Sequence, residues 1–256
     1  MKISVSTLAL YPTPLENVLS KLEERGVDHC EVINENPYHE IDSDVVDSYK
    51  LKVSVHAPIS DINIASHNRT IRNSSVQQMK NSIDAASKLE PGLVVVHPGT
   101  MPILGDRFPD KIHRYNLESL TECAKYAEDC GVVMCVENMP DIHGLLGKDI
   151  KELEDLVEDI NAYMTLDVGH AHNMGFSTEE MVGSKLVKHV HLSDNDGSFD
   201  THQALGTQGE NGINFEKLLK NLDKSNYKDI LVVEVRNLDD VDESLDYLKS
   251  QMKNMK

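Results

Sequence analysis

The chain has 256 residues and a formal net charge of −18, which argues against a protein that coats nucleic acid through a broad basic surface. Its longest apolar run, residues 132–136, is far too short to span a bilayer, and its first residues lack the apolar core of a signal peptide. Four cysteines without a Cys-x-x-Cys pair are typical of a reducing compartment and no linker-like stretch divides the chain, so we expect one cytoplasmic domain over residues 1–256.

Eight short apolar runs have the length and residue types of buried strands, and amphipathic stretches with helical spacing separate them. The predicted strands are residues 2–6, 29–33, 52–55, 93–96, 132–136, 162–166, 187–190 and 230–233. The predicted helices are residues 14–25, 44–49, 68–89, 110–130, 149–159, 178–182, 215–224 and 239–252. Local signals support several helix ends: Gly26 and Gly131 follow two helices as C-caps, and Ser177 and Asn214 precede two others as N-caps.

This alternation of strand and helix is typical of the α/β fold class, and it predicts a single (β/α)₈ TIM barrel. The length agrees, because it gives 32 residues for each of eight units. In such a barrel the carboxyl ends of all strands meet at one mouth, where active sites are built.

Ionisable side chains stand where most of the predicted strands stop. The candidates are His56, His97, Glu137, Asp167, His170, His191, Asp200, His202 and Glu234. Any one of them alone is more typical of hydrogen-bonded structure. Burying them together without a cation would be costly, however, since desolvation and like charges both oppose it. Imidazole and carboxylate are ligands of divalent metals, so the pattern predicts a metal site at the mouth.

The positions of the other seven histidines indicate no functional role. They are His29, His39, His67, His113, His143, His172 and His189. Two of them adjoin candidates: His189 shares a strand face with His191, and His172 follows His170 in the same loop.

Seven short stretches, taken together, carry a resemblance to a known group. They are HAP at 56–58, VVHPG at 95–99, VEN at 136–138, LDVGHAH at 166–172, HVHLSDN at 189–195, DTHQALG at 200–206 and VVEVR at 232–236. They resemble the xylose-isomerase-like barrel superfamily, which includes endonuclease IV and many sugar isomerases and epimerases. The resemblance to endonuclease IV implies that all nine candidates are ligands of a three-zinc centre. The resemblance to the isomerases and epimerases implies a smaller, one-metal set. That set is Glu137, Asp167, His191 and Glu234.

The two branches imply different chemistry. The positive charge of three divalent cations exceeds the negative charge of four carboxylates. Such a site suits a phosphodiester, which clustered zinc ions would hydrolyse. One cation among three carboxylates leaves a negative site that suits a neutral polyol or ketose. There the resemblance implies that Glu137 and Glu234 shuttle a proton on carbon through an enediolate. Arg236 is expected to hold a substrate phosphate or carboxylate, and Asp194 is expected to be a further substrate contact.

We predict a metal-dependent isomerase or epimerase of a small sugar or sugar phosphate, with catalytic Glu137 and Glu234. Residues 58–66 after His56 contain no basic or aromatic side chain and the chain has no Trp, so groups that wedge into or stack on DNA are scarce. A zinc-dependent AP endonuclease acting on abasic DNA is the alternative, and a non-catalytic metal-binding barrel is a lesser one. The expected cofactor is a divalent metal, with up to three Zn²⁺ favoured by five imidazoles and Mn²⁺ or Mg²⁺ suited to the carboxylate-rich set. No membrane partner is expected.

Overall fold

Eight parallel strands close into one barrel in the order β1 to β8 in the computed structural model, which describes residues 1–254. The strands are β1 (Lys2–Ser6), β2 (His29–Ile33), β3 (Lys52–His56), β4 (Leu93–Val96), β5 (Val133–Glu137), β6 (Tyr163–Asp167), β7 (Val187–Leu192) and β8 (Ile230–Val233). The helices are α1 (Leu15–Glu24), α2 (Ser43–Asp47), α3 (Arg69–Ala86), α4 (Pro109–Asp129), α5 (Ile150–Asp159), α6 (Val168–Asn173), α7 (Thr178–Met181), α8 (Phe215–Lys224) and α9 (Leu238–Asn254). The predicted (β/α)₈ barrel is confirmed.

Four strands (β3, β5, β6 and β7) end one or two residues later than predicted, so His56, Glu137 and Asp167 are the last residues of their strands. Pairing with neighbouring strands causes the extension: Asp167 stands opposite His191, and Glu137 stands opposite Thr165. These side chains therefore follow the in-and-out alternation of the strands, which turns them into the barrel.

The short helix α6 was not predicted, and it begins directly after Asp167. The carboxylate of Asp167 caps the helix by accepting the backbone N–H of His170 at 2.7 Å. Gly169 permits the close packing of this turn, because a Cβ there would lie 2.5 Å from the Ser193 hydroxyl. The turn fixes His170 above the end of β6.

The helices cover the outside of the barrel with apolar faces, such as Met79 and Ile83 of α3 and Leu218 and Leu222 of α8, all of which are buried. Among residues 1–254, none of the helices combines the length and apolarity that crossing a membrane requires.

The inside of the barrel is more polar than is usual, since branched apolar side chains normally fill it. Glu31 of β2, Ser54 of β3 and His189 of β7 are buried there, and Glu31 contacts both of the others. The Ser54 hydroxyl lies 3.1 Å from Oε2 of Glu31, and Nε2 of His189 lies 2.6 Å from the same oxygen. This polar cluster lies directly below the mouth.

Candidate metal and active site

A cavity of about 350 Å³ opens at the carboxyl ends of the strands. Side chains from β3 to β8 and the loops after them line it, together with three apolar residues and an arginine. The lining residues are Leu8, Ile33, His56, Ile59, His97, Glu137, His170, His202, Glu234 and Arg236. The remaining candidates, Asp167, His191 and Asp200, are buried against these residues.

The nine candidate side chains form three groups, in each of which the ligand-type atoms lie within 4.8 Å of one another. The central group is Glu137, Asp167, His191 and Glu234. The β3–β4 group is His56, His97 and Glu137, and the loop group is His170, Asp200 and His202. The central group is thus the one-metal set of the isomerase resemblance. All nine candidates are brought together, with Glu137 in two groups.

Glu137 joins the central and β3–β4 groups because its two oxygens face different histidines. Oε2 lies 3.2 Å from Nε2 of His56 and 3.0 Å from Nε2 of His97. Oε1 lies 3.0 Å from Nδ1 of His191, and the same nitrogen is 2.9 Å from Oε2 of Glu234. The carboxylates of Glu137 and Glu234 therefore converge on one imidazole beside the cavity.

The loop after β7 supplies most of the loop group. Oδ2 of Asp200 lies 2.9 Å from Nε2 of His202 and 3.2 Å from Nε2 of His170. His202 has a φ of +48°, a left-handed conformation that is uncommon for residues other than glycine. This turn lets its ring reach β8, where Nδ1 donates to the backbone carbonyl of Glu234 at 2.9 Å.

Backbone carbonyls orient three of the histidine rings. His56 donates from Nδ1 to the carbonyl of Ala57 at 2.7 Å, and His170 donates from Nδ1 to the carbonyl of Asn138 at 2.7 Å. His202 is held in the same way. A carbonyl can only accept, so Nδ1 carries the proton and Nε2 faces the carboxylates. His191 is turned the other way, with Nδ1 toward the carboxylates.

Protons on four of the five imidazoles balance the carboxylates, whereas burial lowers the pKa of His97. Burial opposes the charged ring, but neighbouring carboxylates outweigh it and raise the pKa of His56 to about 9 and that of His170 to about 10. Burial also opposes ionisation of Glu137, yet His191 and His97 hold the pKa of this carboxyl well below its usual range. For Asp167 burial prevails and raises the pKa to about 6. The site is thus charged and buried, as metal centres are.

Three buried carboxylate oxygens have no hydrogen-bond partner within residues 1–254: Oδ2 of Asp167 in the central group, Oδ1 of Asp200 in the loop group, and Oε1 of Glu31 below them. Buried polar atoms normally find partners, so the lone pairs of Asp167 and Asp200 fit cation ligands. Imidazole nitrogens and carboxylate oxygens are the donors that Zn²⁺ takes. The residues present therefore fit a metal site in each of these two groups.

Asp194 and Arg236, the predicted substrate contacts, have different surroundings. Arg236 is exposed and lines the cavity. Asp194 is fully buried, does not line the cavity, and is saturated by four backbone N–H groups. The donors are those of Asn195, Gly206, Gln208 and Ile213. The substrate contact of Asp194 stays a prediction; in the structure its carboxylate braces the loop that carries Asp200 and His202.

Asp194→Ala should destabilise the protein by about 3 kcal/mol or more, because each buried N–H left without an acceptor costs about 1–3 kcal/mol. It should also weaken metal binding in the loop group. Chemical denaturation of the metal-free protein and zinc titration measure the two effects. Asp196→Ala is the matched control, since Asp196 is exposed in the same loop and bonds only to Ser198. A midpoint of unfolding that is equal in the two variants would contradict the bracing role.

Glu31 is absent from the predicted site residues, yet it is fully buried below the central group. Although burial opposes its ionisation, His191 and His189 keep the pKa of Glu31 well below its usual range. Two signals were available in the sequence: a lone charged residue within an apolar strand, and the shared face of His189 and His191. Neither identifies the partner, because the contact between Glu31 and His189 joins residues 158 positions apart.

Comparison with known proteins adds three findings. The sequence model of one protein family, described as the xylose isomerase-like TIM barrel, matches residues 19–251. An uncharacterized protein of Methanocaldococcus jannaschii is 33% identical over 98% of this chain and 89% of its own. The crystal structure of a D-tagatose 3-epimerase-like protein superposes with a TM-score of 0.89 at 31% identity, covering 99% of this chain and 97% of that one.

More distant relatives bear the names of two different activities. Fructoselysine 3-epimerase of Shigella flexneri is 22% identical over 92% of this chain and 90% of its own. A probable endonuclease 4 of Thermotoga maritima is 27% identical, but over only 59% of each chain. The epimerase thus matches over a larger part of the barrel.

Proposed function

The chain belongs to the xylose isomerase-like TIM barrel family, and we propose that it is a metal-dependent isomerase or epimerase of a small sugar or sugar phosphate. The observation that carries the proposal is the convergence of Glu137 and Glu234, two buried carboxylates, on His191 at the cavity. The cavity volume of about 350 Å³ is within the range of small-molecule sites. The full-length likeness to epimerase relatives supports the same activity.

The central group would hold the cation that this chemistry requires. When bound, a divalent cation supplies Lewis-acid polarisation of a substrate carbonyl. The proton itself is moved by the protein: one of Glu137 and Glu234 removes it from the carbon beside the carbonyl, and the other returns a proton in an enediolate-type transfer. Return to the opposite face of the same carbon epimerises the sugar, and return to the adjacent carbon isomerises it.

The rest of the cavity suits a sugar with an anionic end. Leu8, Ile33 and Ile59 add apolar surface to the lining, which would limit access of water to the reacting carbon. Arg236 is the only Lys or Arg among the described residues that line the cavity, and it stands at the rim. Its guanidinium would bind a phosphate through paired hydrogen bonds, which favours a sugar phosphate over the free sugar.

Solvent exchange tests this function directly. Metal-loaded protein is incubated in D₂O with a panel of ketoses and ketose phosphates, and deuterium is located by NMR. We expect deuterium on the carbon beside the carbonyl, because a carboxylate that takes the proton exchanges it with solvent. Absence of exchange with every sugar of the panel, by protein that has bound metal, would contradict the proposal.

We also propose that the protein binds more than one divalent cation, with zinc among them. The β3–β4 and loop groups are rich in imidazole, which suits Zn²⁺, whereas the carboxylate-rich central group also suits Mn²⁺ or Mg²⁺. Elemental analysis of protein purified without chelator should give more than one equivalent per chain. His202→Ala should lower that number by one, while His113→Ala, on the exposed face of α4, should leave it unchanged. A single equivalent in the presence of excess zinc would leave only the central group as the site.

The alternative is zinc-dependent hydrolysis of phosphodiesters at abasic sites in DNA. The observation that favours it is the assembly of all three groups, since clustered cations suit a phosphodiester. His97 separates the two functions because it belongs to the β3–β4 group and not to the central group.

His97→Ala should leave substantial proton exchange with the sugar substrate and mainly weaken substrate or accessory-metal binding. In a phosphodiesterase the same change should remove a cation and nearly all cleavage. Both activities are assayed on one preparation, with His113→Ala as the control for loss of an imidazole. Robust incision of abasic duplex by the wild type, abolished in His97→Ala, would establish the alternative instead.

A further inference from the structure

Glu31 reaches across the barrel interior from β2 to β7. Its Oε2 accepts hydrogen bonds from Nε2–H of His189 at 2.6 Å and from the Ser54 hydroxyl at 3.1 Å. Its Oε1 lies 2.8 Å from Nε2 of His191, at ion-pair distance but off the line of a hydrogen bond. Neither of those two atoms has another hydrogen-bond partner in the described part of the chain. Two donors therefore fix Oε2 of Glu31, and Oε1 faces His191.

His191 differs from the other histidines in what orients its ring. His56, His170 and His202 each donate Nδ1–H to a backbone carbonyl, which directs Nε2 to the carboxylates. His191 directs Nδ1 to Glu137, and no carbonyl of the described residues 1–254 pairs with its other nitrogen. Among residues 1–254, the acceptor beside that nitrogen is the Glu31 carboxylate, at 2.8 Å.

We propose that Glu31 is a positioning residue of the metal site: its carboxylate, 2.8 Å from Nε2 of His191, keeps the proton on that nitrogen and so holds Nδ1 unprotonated and directed at the central group, where the cation would bind. The inference rests on the proposed function, because it requires a cation there. A carboxylate behind a ligand imidazole fixes its tautomer and makes the ring a stronger donor. The contacts of Glu31 to His189 and Ser54 keep the carboxylate in place.

The burial of Glu31 itself supports a role beyond packing. A buried charge with its partners is seldom more stabilising than apolar side chains of the same volume, so stability alone gives little reason for it. In this barrel the charge lies where branched apolar residues are usual, one layer below the candidate ligands. Its contact with a candidate ligand gives the charge a function.

The test measures zinc affinity and stability separately in the full-length protein. Zinc is titrated against a chromophoric chelator, and melting temperatures are recorded without metal. Glu31→Gln keeps the volume but removes the second acceptor and the charge, and it should weaken zinc binding by about 10- to 100-fold. Glu31→Asp keeps the carboxylate and should recover part of that loss. Ser54→Ala removes one of the contacts that keep Glu31 in place without touching His191, so it should weaken zinc binding less than Glu31→Gln does.

The outcomes separate the inference from the function on which it rests. Wild-type zinc affinity in Glu31→Gln, with or without a lower melting temperature, would overturn the inference and leave Glu31 a structural role. Failure of the wild type to bind zinc would overturn both the metal site and the inference. A wild type that binds zinc but exchanges no sugar proton would overturn the sugar chemistry alone.

A second measurement needs no variant at Glu31 and so does not depend on its folding. Long-range ¹H–¹⁵N spectra of the zinc-loaded wild type report which ring nitrogen carries the proton. We expect His191 to be protonated at Nε2 and metal-bound at Nδ1, opposite to His56 and His170. A proton on Nδ1 of His191 would overturn the inference.

Discussion

Replacing Glu137 or Glu234 by glutamine should reduce turnover by about 10²- to 10⁴-fold while the barrel stays folded. Glutamine keeps the volume of the side chain but cannot take a proton from carbon. Both residues are buried, with 1% and 7% of their surface exposed, so each change removes a charge and a base rather than packing. Initial rates with the sugar found by deuterium exchange, at saturating metal, measure the effect, and circular dichroism checks the fold.

The two variants should also differ from each other in a way that a packing defect would not produce. If each carboxylate serves one face of the sugar, a variant that keeps one of them should still exchange the proton on that face without inverting the carbon. Glu122→Gln, exposed on α4 and paired with Lys80, is the control and should turn over like the wild type. Wild-type turnover in Glu137→Gln or Glu234→Gln would remove that residue from the mechanism.

Loading with zinc should raise the melting temperature by about 10 to 20 °C relative to chelated protein. Two sites at a hundredfold excess over their dissociation constants contribute roughly 5 kcal/mol, and about 2–4 °C follows from each kcal/mol in a chain of this size. Differential scanning calorimetry of matched loaded and chelated samples measures the difference. Equal melting temperatures would contradict occupancy of the site.

The stabilisation by zinc should grow as the pH rises from about 6.5 to about 9. In chelated protein the carboxylates raise the pKa of His56 to about 9, of His170 to about 10 and of His202 to about 9, although burial opposes the charge. This contribution to stability is complete below the unfolded pKa of about 6.5 and is lost as the pH rises through the folded values. Zinc binds neutral imidazole, so its affinity rises over the same range. A difference in melting temperature between loaded and chelated samples that becomes smaller toward pH 9 would contradict this prediction.

The strand order and the gathering of nine side chains at the mouth could be predicted because both depend on local patterns. Alternating apolar and amphipathic runs indicate parallel strands, and parallel strands end at one face. The surroundings of Asp194 could not be predicted in this way, because its place after β7 resembles that of a site residue. Its carboxylate accepts hydrogen bonds from backbone N–H groups of the loop that follows. No local sequence pattern specifies the path of that loop.

Glu31 could not be found in the sequence for a related reason. Its partners lie on β3 and β7, and the shear of the barrel decides which side chains meet across the interior. The same holds for the orientation of the histidine rings, because a sequence identifies a histidine but not which of its ring nitrogens faces the candidate site. That choice depends on whether a carbonyl, as for His170, or a carboxylate, as for His191, stands behind the ring.

Glu137 makes two parts of the site thermodynamically dependent on each other. One carboxylate serves the β3–β4 group through Oε2 and the central group through Oε1. A cation bound to one oxygen would pre-orient the other oxygen for a second cation, while repulsion between the two ions would act in the opposite direction. The resulting coupling free energy is reciprocal, so the first cation changes the affinity for the second by the same factor as the second changes the affinity for the first. The affinities of the two groups therefore cannot evolve independently while they share this side chain.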